Sequence, residues 1–242
     1  MIVGFSGNDV ILGRGGRDRI CGRKGGDILA GGDGRDDMRG GPGSDSVTGG
    51  NGTDFLFGDA GNDTVSGGRG NDGIGGDAGA DVIDGGIGND TAYYFRAHGP
   101  VEVNLGNDTA SGDGHDVLVR CENTLGSSFG DVLIGDERRN RLDGGMGVGN
   151  DVLIGRGEAD ALFGNRGDDR IRGGPGPDVL DDSLRLAEGV FSDTGEDSLV
   201  GGSGDDVLRG HDEVAGNDTL DGRVGTDICR ADAGDVITNC EA

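Results

Sequence analysis

The stretch GGNGTDFLF, Gly49–Phe57, decides the fold. Its pattern is Gly at the first and fourth places, Asp at the sixth and a large aliphatic residue at the eighth. Ten consecutive nonapeptides carry it without a slip in register, beginning at Gly4, Gly13, Gly22, Gly31, Gly40, Gly49, Gly58, Gly67, Gly76 and Gly85 and ending at Tyr93. Gly and Pro supply 61 of 242 residues, which without periodicity would suggest a disordered chain. The period of nine excludes collagen and points to one stacked repeat architecture, not a set of globular domains.

The chemistry of each place follows from its residue type. Glycine at the fourth place suits a tight turn, where φ is positive. The sixth-place carboxylates are Asp9, Asp18, Asp27, Asp36, Asp45, Asp54, Asp63, Asp72, Asp81 and Asp90, and they stack in columns if successive turns overlie one another. Hard oxygens at that density suit Ca²⁺, which takes six to eight such ligands. The eighth place supplies Ile11, Ile20, Leu29, Met38, Val47, Leu56, Val65, Ile74, Ile83 and Ala92. In a short x-U-x strand, with U apolar, the middle side chain points opposite to its neighbours, so each repeat contributes one aliphatic to a narrow core.

On these residues the chain resembles the RTX, or hemolysin-type, calcium-binding repeat family. The resemblance implies an all-β chain folded as a right-handed parallel β-roll, a β-solenoid with two nonapeptides per coil. Six residues of each repeat would form a calcium-binding turn and three a strand. Multiple Ca²⁺ ions would sit between stacked turns, held by backbone carbonyls and by sixth-place carboxylates such as Asp45 and Asp63.

The pattern continues beyond the first array, 4–93. After an interruption at 94–110, where Val101, Val103 and Leu105 alternate as in a strand, a wider coil is expected. A second, less regular array spans 111–230, with Asp116, Asp131, Asp151, Asp160, Asp169, Asp178, Asp197, Asp206, Asp218 and Asp227 in the ligand place. All of these but Asp131 are expected metal ligands. Phe129, Arg138 and Glu158 replace the fourth-place Gly and Asn140 replaces the ligand Asp, so weak or vacant sites are expected from Gly126 to Asp143 and beside Glu158. Insertions near Val148, at Asp182 to Phe191 and at Asp212 to Ala215 should bulge out without breaking the stack. Leu184, Leu186, Val190 and Phe191 are apolar enough to fold back onto the solenoid.

Residues 231–242 form a tail. A disulfide between Cys229, at an inward apolar place, and Cys240 would staple the tail across the open end of the roll. Cys21 and Cys121, five or more coils apart, are expected to stay apart. An even cysteine count fits an oxidising compartment.

The net charge of −25 makes a metal-free compact state self-repelling and disfavours nucleic acid. With one aliphatic per repeat as core, folding is expected to depend on calcium. About sixteen ions or fewer are expected if each is shared between adjacent turns. No apolar run is long enough for a membrane span. Calcium at extracellular levels makes a secreted, extracellular monomer the expectation. MIVGFSGND shows no signal-peptide pattern and TNCEA no apolar tail, so a removed signal or a longer parent chain is expected.

Catalysis is not expected, because HExxH is absent, no GxSxG nucleophile elbow is evident, the string GSSFG at Gly126–Gly130 being the turn of a repeat, and His98, His115 and His211 have no evident nucleophile beside them. Two roles remain. One is a non-catalytic calcium-folding module beside a neighbouring domain, and the other is an adhesion or surface-matrix stalk with a protein or surface polysaccharide ligand. Arg14, Arg17, Arg19, Arg23 and Lys24 read as solvated charges or as an anionic polysaccharide site. Phe55 and Phe57 read as rings packed over the bare backbone of Gly73 and Gly75, or as a partner patch.

Overall fold

The computed structural model describes residues 1–182, 195–210 and 217–241. Among these residues every regular element is a strand. The chain divides into two compact units, Met1–His98 with Asn107–Thr124 and Gly99–Gly106 with Leu125–Ala242. Each unit is a parallel β-solenoid.

In the first unit the eighth-place residues pair in register eighteen apart, which is two nonapeptides per coil. One sheet aligns Ile11, Leu29, Val47, Val65 and Ile83. The other aligns Ile20, Met38, Leu56 and Ile74. These side chains face each other as a single file of aliphatics, and from Leu29 to Ala92 each is almost wholly buried. Fully burying such a side chain contributes about 1.5 to 3 kcal/mol.

The strands are longer than the three residues expected. Phe55–Ala60 and Thr64–Arg69, for example, run through the first three places of the following repeat. The ladder persists round the corner because the residues there still pair coil to coil, as Gly41 does with Asp59 and Pro42 with Ala60.

The second unit keeps the same design through its insertions. Leu133, Leu153, Ile171, Leu199 and Leu220 align in one sheet, and Leu142, Leu162, Leu180, Leu208 and Cys229 in the other. The register step becomes 20 beside Val148, 28 across the long insertion and 21 across the short one. Each insertion therefore leaves the inward file intact. The apolar insert residues Leu184, Leu186, Val190 and Phe191, His211 and the insertion at Asp212 to Ala215 lie outside the described residues.

The interruption contributes two short strands. Glu102–Asn104 pairs in parallel with Val132–Ile134 in the second unit, burying Val101, Val103 and Leu105. Thr109–Ser111 instead pairs antiparallel with His115–Val119 in the first unit, through a turn at Gly112–Gly114. A two-strand hairpin needs only a tight turn, and the short SGDG stretch provides one.

The tail adds a further strand, Val236–Thr238, on Thr219–Asp221. Cys229 and Cys240 are disulfide-bonded across 5.8 Å between Cα atoms. Cys229 is only half-buried, because the tail covers the last coil incompletely. Cys21 and Cys121 are free thiols.

Phe57 does lie against bare backbone, since a Cβ on Gly75 would stand 2.9 Å from its ring. The space over Gly73 is taken by Tyr93, and Phe55 stacks on that ring with centroids 6.4 Å apart.

Candidate metal centres

The sixth-place aspartates form ladders. In the first unit the backbone N–H of Asp9 donates to Asp27 Oδ1 at 2.7 Å, and the relation repeats from Asp27 to Asp45, Asp45 to Asp63, Asp63 to Asp81 and Asp81 to Asp116. A second ladder runs Asp18, Asp36, Asp54, Asp72, Asp90. It ends where the Asp90 N–H donates to Glu122 Oε2 at 2.9 Å. In the second unit one ladder links Asp131, Asp151, Asp169, Asp197 and Asp218, and the other links Asn140, Asp160, Asp178, Asp206 and Asp227.

One carboxylate oxygen is thereby tied to backbone and the other is turned inward. The Oδ2 atoms of Asp18, Asp27, Asp36, Asp45, Asp54, Asp63, Asp72, Asp81 and Asp90 are buried without a hydrogen-bond partner. So are those of Asp160, Asp178, Asp206 and Asp227. An unpartnered buried carboxylate oxygen is among the costliest groups a protein can hold.

Each of these oxygens looks into the space beside the first-place glycine of its own repeat. A Cβ on Gly40 would sit 2.3 Å from Asp45 Oδ2 and 2.7 Å from the Gly58 carbonyl oxygen of the next coil. At Gly173 the distances are 2.3 Å to Asp178 Oδ2 and 2.8 Å to the Gly201 carbonyl. A side chain there would fill a cradle lined by one carboxylate oxygen and one carbonyl oxygen from adjacent coils. Oxygen donors of this kind fit a hard divalent cation.

Burial leaves its mark on the protonation of the metal-free carboxyls. It pushes Asp63, Asp151 and Asp206 up to about 7 against the hydrogen bond each accepts, and the next carboxylate along the ladder adds to the rise. Asp72, Asp90 and Asp178 are pushed up to about 6 by the same causes in the same order, and burial raises Asp160 to about 6 as well, there with Asp136 and Glu158 adding to the rise because its ladder neighbour is Asn140.

Family comparison matches residues 3–38, 30–65, 39–74, 57–92, 125–148, 147–180, 191–212 and 215–237 to the RTX calcium-binding nonapeptide repeat (4 copies), more than half of the chain. The chain belongs to the RTX calcium-binding repeat family. No curated protein is similar enough to count as a relative. The RTX β-roll is a structural, calcium-binding module.

Several RTX positions depart from the pattern. Asp9, at the first coil, is half-exposed, and its Oδ2 accepts the Phe5 N–H at 2.7 Å. The Tyr94 hydroxyl donates to Asp116 Oδ2 at 3.1 Å, so a side chain from outside the repeats takes up the oxygen that is unpartnered elsewhere in the ladder. Asp131 accepts from the backbone N–H and hydroxyl of Ser127 and from the Val101 N–H. Asn140 accepts from the Asp136 N–H and donates to Asp136 Oδ1, while Arg138 forms an ion pair with Asp136. Gly126 to Asp143 thus carries its own donors and its own cation.

Two acidic residues were not legible as ladder members. Glu122 lies outside any nonapeptide. Asp182 occupies a first place that is nearly always Gly, and it brings a carboxylate oxygen within 4.8 Å of those of Asp197 and Asp218. The signal available in the sequence was that substitution of acid for glycine at a cradle position. His98 pairs with Asp113 on the exposed surface, at 2.9 Å.

Proposed function

We propose that this chain binds several Ca²⁺ ions in columns along its aspartate ladders and folds when they bind. The observation that carries the reading is the row of buried, partnerless Oδ2 atoms, most of them sharing their cradle with a carbonyl oxygen of the next coil. The proposed ligands are Asp18, Asp27, Asp36, Asp45, Asp54, Asp63, Asp72, Asp81 and Asp90, and Asp151, Asp160, Asp169, Asp178, Asp197, Asp206, Asp218 and Asp227. Asp9 and Asp116 bind weakly or not at all, because a backbone N–H and the Tyr94 hydroxyl take their inward oxygens. Such a module is non-catalytic and serves a secreted protein, folding outside the cell, where calcium at about 10⁻⁴ to 10⁻³ M suits extracellular sites. Far-UV circular dichroism with and without excess EGTA tests the folding, and calorimetric titration counts the ions. A strong β signal in the chelated sample would refute the proposal.

A second reading, a surface-matrix or adhesion component with its own carbohydrate ligand, is favoured by one observation, a basic aromatic groove on the first unit.

A further inference from the structure

The segment 13–39 holds seven of the 21 Lys and Arg side chains against five carboxylates, in a chain whose net charge is −25. Stacking of coils gathers part of this charge. Arg17 and Arg35 occupy the fifth place of successive coils on the same side of the roll, and Arg39 stands at the ninth place beside them. All three are exposed. With Phe55, Phe57 and Phe95 they line a groove of about 310 Å³, whose floor also includes Asp36 and Asp37.

The charges in this groove are arranged unlike the others nearby. Arg19 pairs with Asp37 at 3.3 Å, and Arg96 pairs with Asp59 and Asp77. Among the described residues no carboxylate stands within ion-pairing distance of Arg17, Arg35 or Arg39, although Asp and Glu outnumber Lys and Arg by 46 to 21. Arg35 lies over the Phe55 ring at 5.0 Å and Arg39 over Phe57 at 5.6 Å. A guanidinium stacked this way keeps its N–H groups in the plane beyond the ring, the geometry that grips a carboxylate with two parallel hydrogen bonds. Beside them the Phe95 ring is 47% exposed and edge-on to Phe57 at 5.9 Å. It offers an apolar platform of the kind that the C–H face of a pyranose covers.

We infer that this groove binds the uronate groups of an acidic polysaccharide, Arg17 and Arg35 holding carboxylates of the sugar chain and Phe95 supporting a ring. The inference deepens the surface-component reading and rests on the calcium-folded roll. Guanidiniums one coil apart, about 4.8 Å, match a ligand with a charge on each sugar ring. A phosphate polymer is the poorer fit, since it would run on from this short basic patch across an acidic surface.

The test is calorimetry on the full chain in saturating calcium, with a galacturonate trimer as probe and its neutral methyl ester as control. Circular dichroism is recorded on the same samples. The trimer should bind and the ester should not. The exposed double variant R17Q/R35Q should keep the calcium-induced β signal and bind the trimer about tenfold more weakly or worse. Phe95→Ala, outside the repeats, should weaken binding by about threefold. No binding by the folded chain overturns the inference, as does equal binding by R17Q/R35Q, which would mean that calcium bridges sugar and protein carboxylates. Tighter binding of a short oligothymidylate also overturns it. Should the double variant fail to fold, undiminished binding by Phe95→Ala has the same force. Absence of a calcium-induced β signal defeats the calcium reading itself, and the dichroism separates that result from a failure of sugar binding.

Discussion

Asp63 shows what each ladder residue contributes and costs. Its Oδ1 holds the Asp45 N–H at 2.7 Å, its Oδ2 faces the cradle of Gly58, and burial pushes its carboxyl up to about 7. Asp63→Asn keeps a side-chain acceptor and removes the charge. Calcium uptake at that site should fall, as read by titration calorimetry, while the chelated chain should show no less residual β signal than wild type by far-UV circular dichroism. Gly58→Ala tests the cradle from the other side. The new methyl would stand 2.3 Å from Asp63 Oδ2 and 2.8 Å from the Gly76 carbonyl. Loss of stability in calcium by about 1 to 3 kcal/mol is expected, the usual cost of forcing atoms into a filled space. Tyr94→Phe removes the hydroxyl that satisfies Asp116 Oδ2, with an expected loss of about 1 to 2 kcal/mol in thermal or urea unfolding of the calcium-loaded protein.

At the scale of elements, each strand adds one inward aliphatic and a set of coil-to-coil hydrogen bonds. Leu56, wholly buried between Met38 and Ile74, has no second layer behind it. Leu56→Ala should cost about 2 to 5 kcal/mol in the calcium-loaded protein, measured by denaturant unfolding. Stability in a stacked repeat is transmitted mainly between neighbours. Cys240→Ser, which frees the tail strand Val236–Thr238, should therefore raise amide exchange in Thr219–Val224 and Ile228–Ala231 and leave the first unit's exchange unchanged. Accelerated exchange throughout the first unit would contradict nearest-neighbour coupling.

For the molecule as a whole, the raised carboxyls set the sign of its pH response. Without metal, the folded form holds protons on Asp63, Asp151 and Asp206 up to about pH 7, whereas an unfolded chain releases them near 3.8. Metal-free stability is thus greatest below the lower value and falls as pH rises through that window. Acidifying a chelated sample from pH 7 towards about 4.5 should increase its β signal. In saturating calcium the trend reverses, because the ions need ionised carboxylates, and lowering the pH through about 6 should release them. A calcium electrode and dichroism on matched samples would read both limbs, and parallel curves with and without metal would contradict the account.

The nine-residue period was enough to read the stack, the inward file from Ile11 to Cys229 and the columns of aspartates, while the two repeats per coil came from the resemblance to the RTX family. With two repeats per coil, register is arithmetic on the sequence, so residues eighteen apart meet. Even the insertions were legible, since they change only the step between partners. What tertiary structure alone decided lies where period gives no rule: Tyr94 on Asp116, Glu122 closing a ladder, the hairpin of Thr109–Ser111 with His115–Val119, and Arg138 paired with Asp136 inside an atypical repeat. These contacts join residues outside the repeats, or residues at variable places within them. Their positions depend on how non-periodic segments pack in three dimensions, which no fixed spacing along the chain encodes.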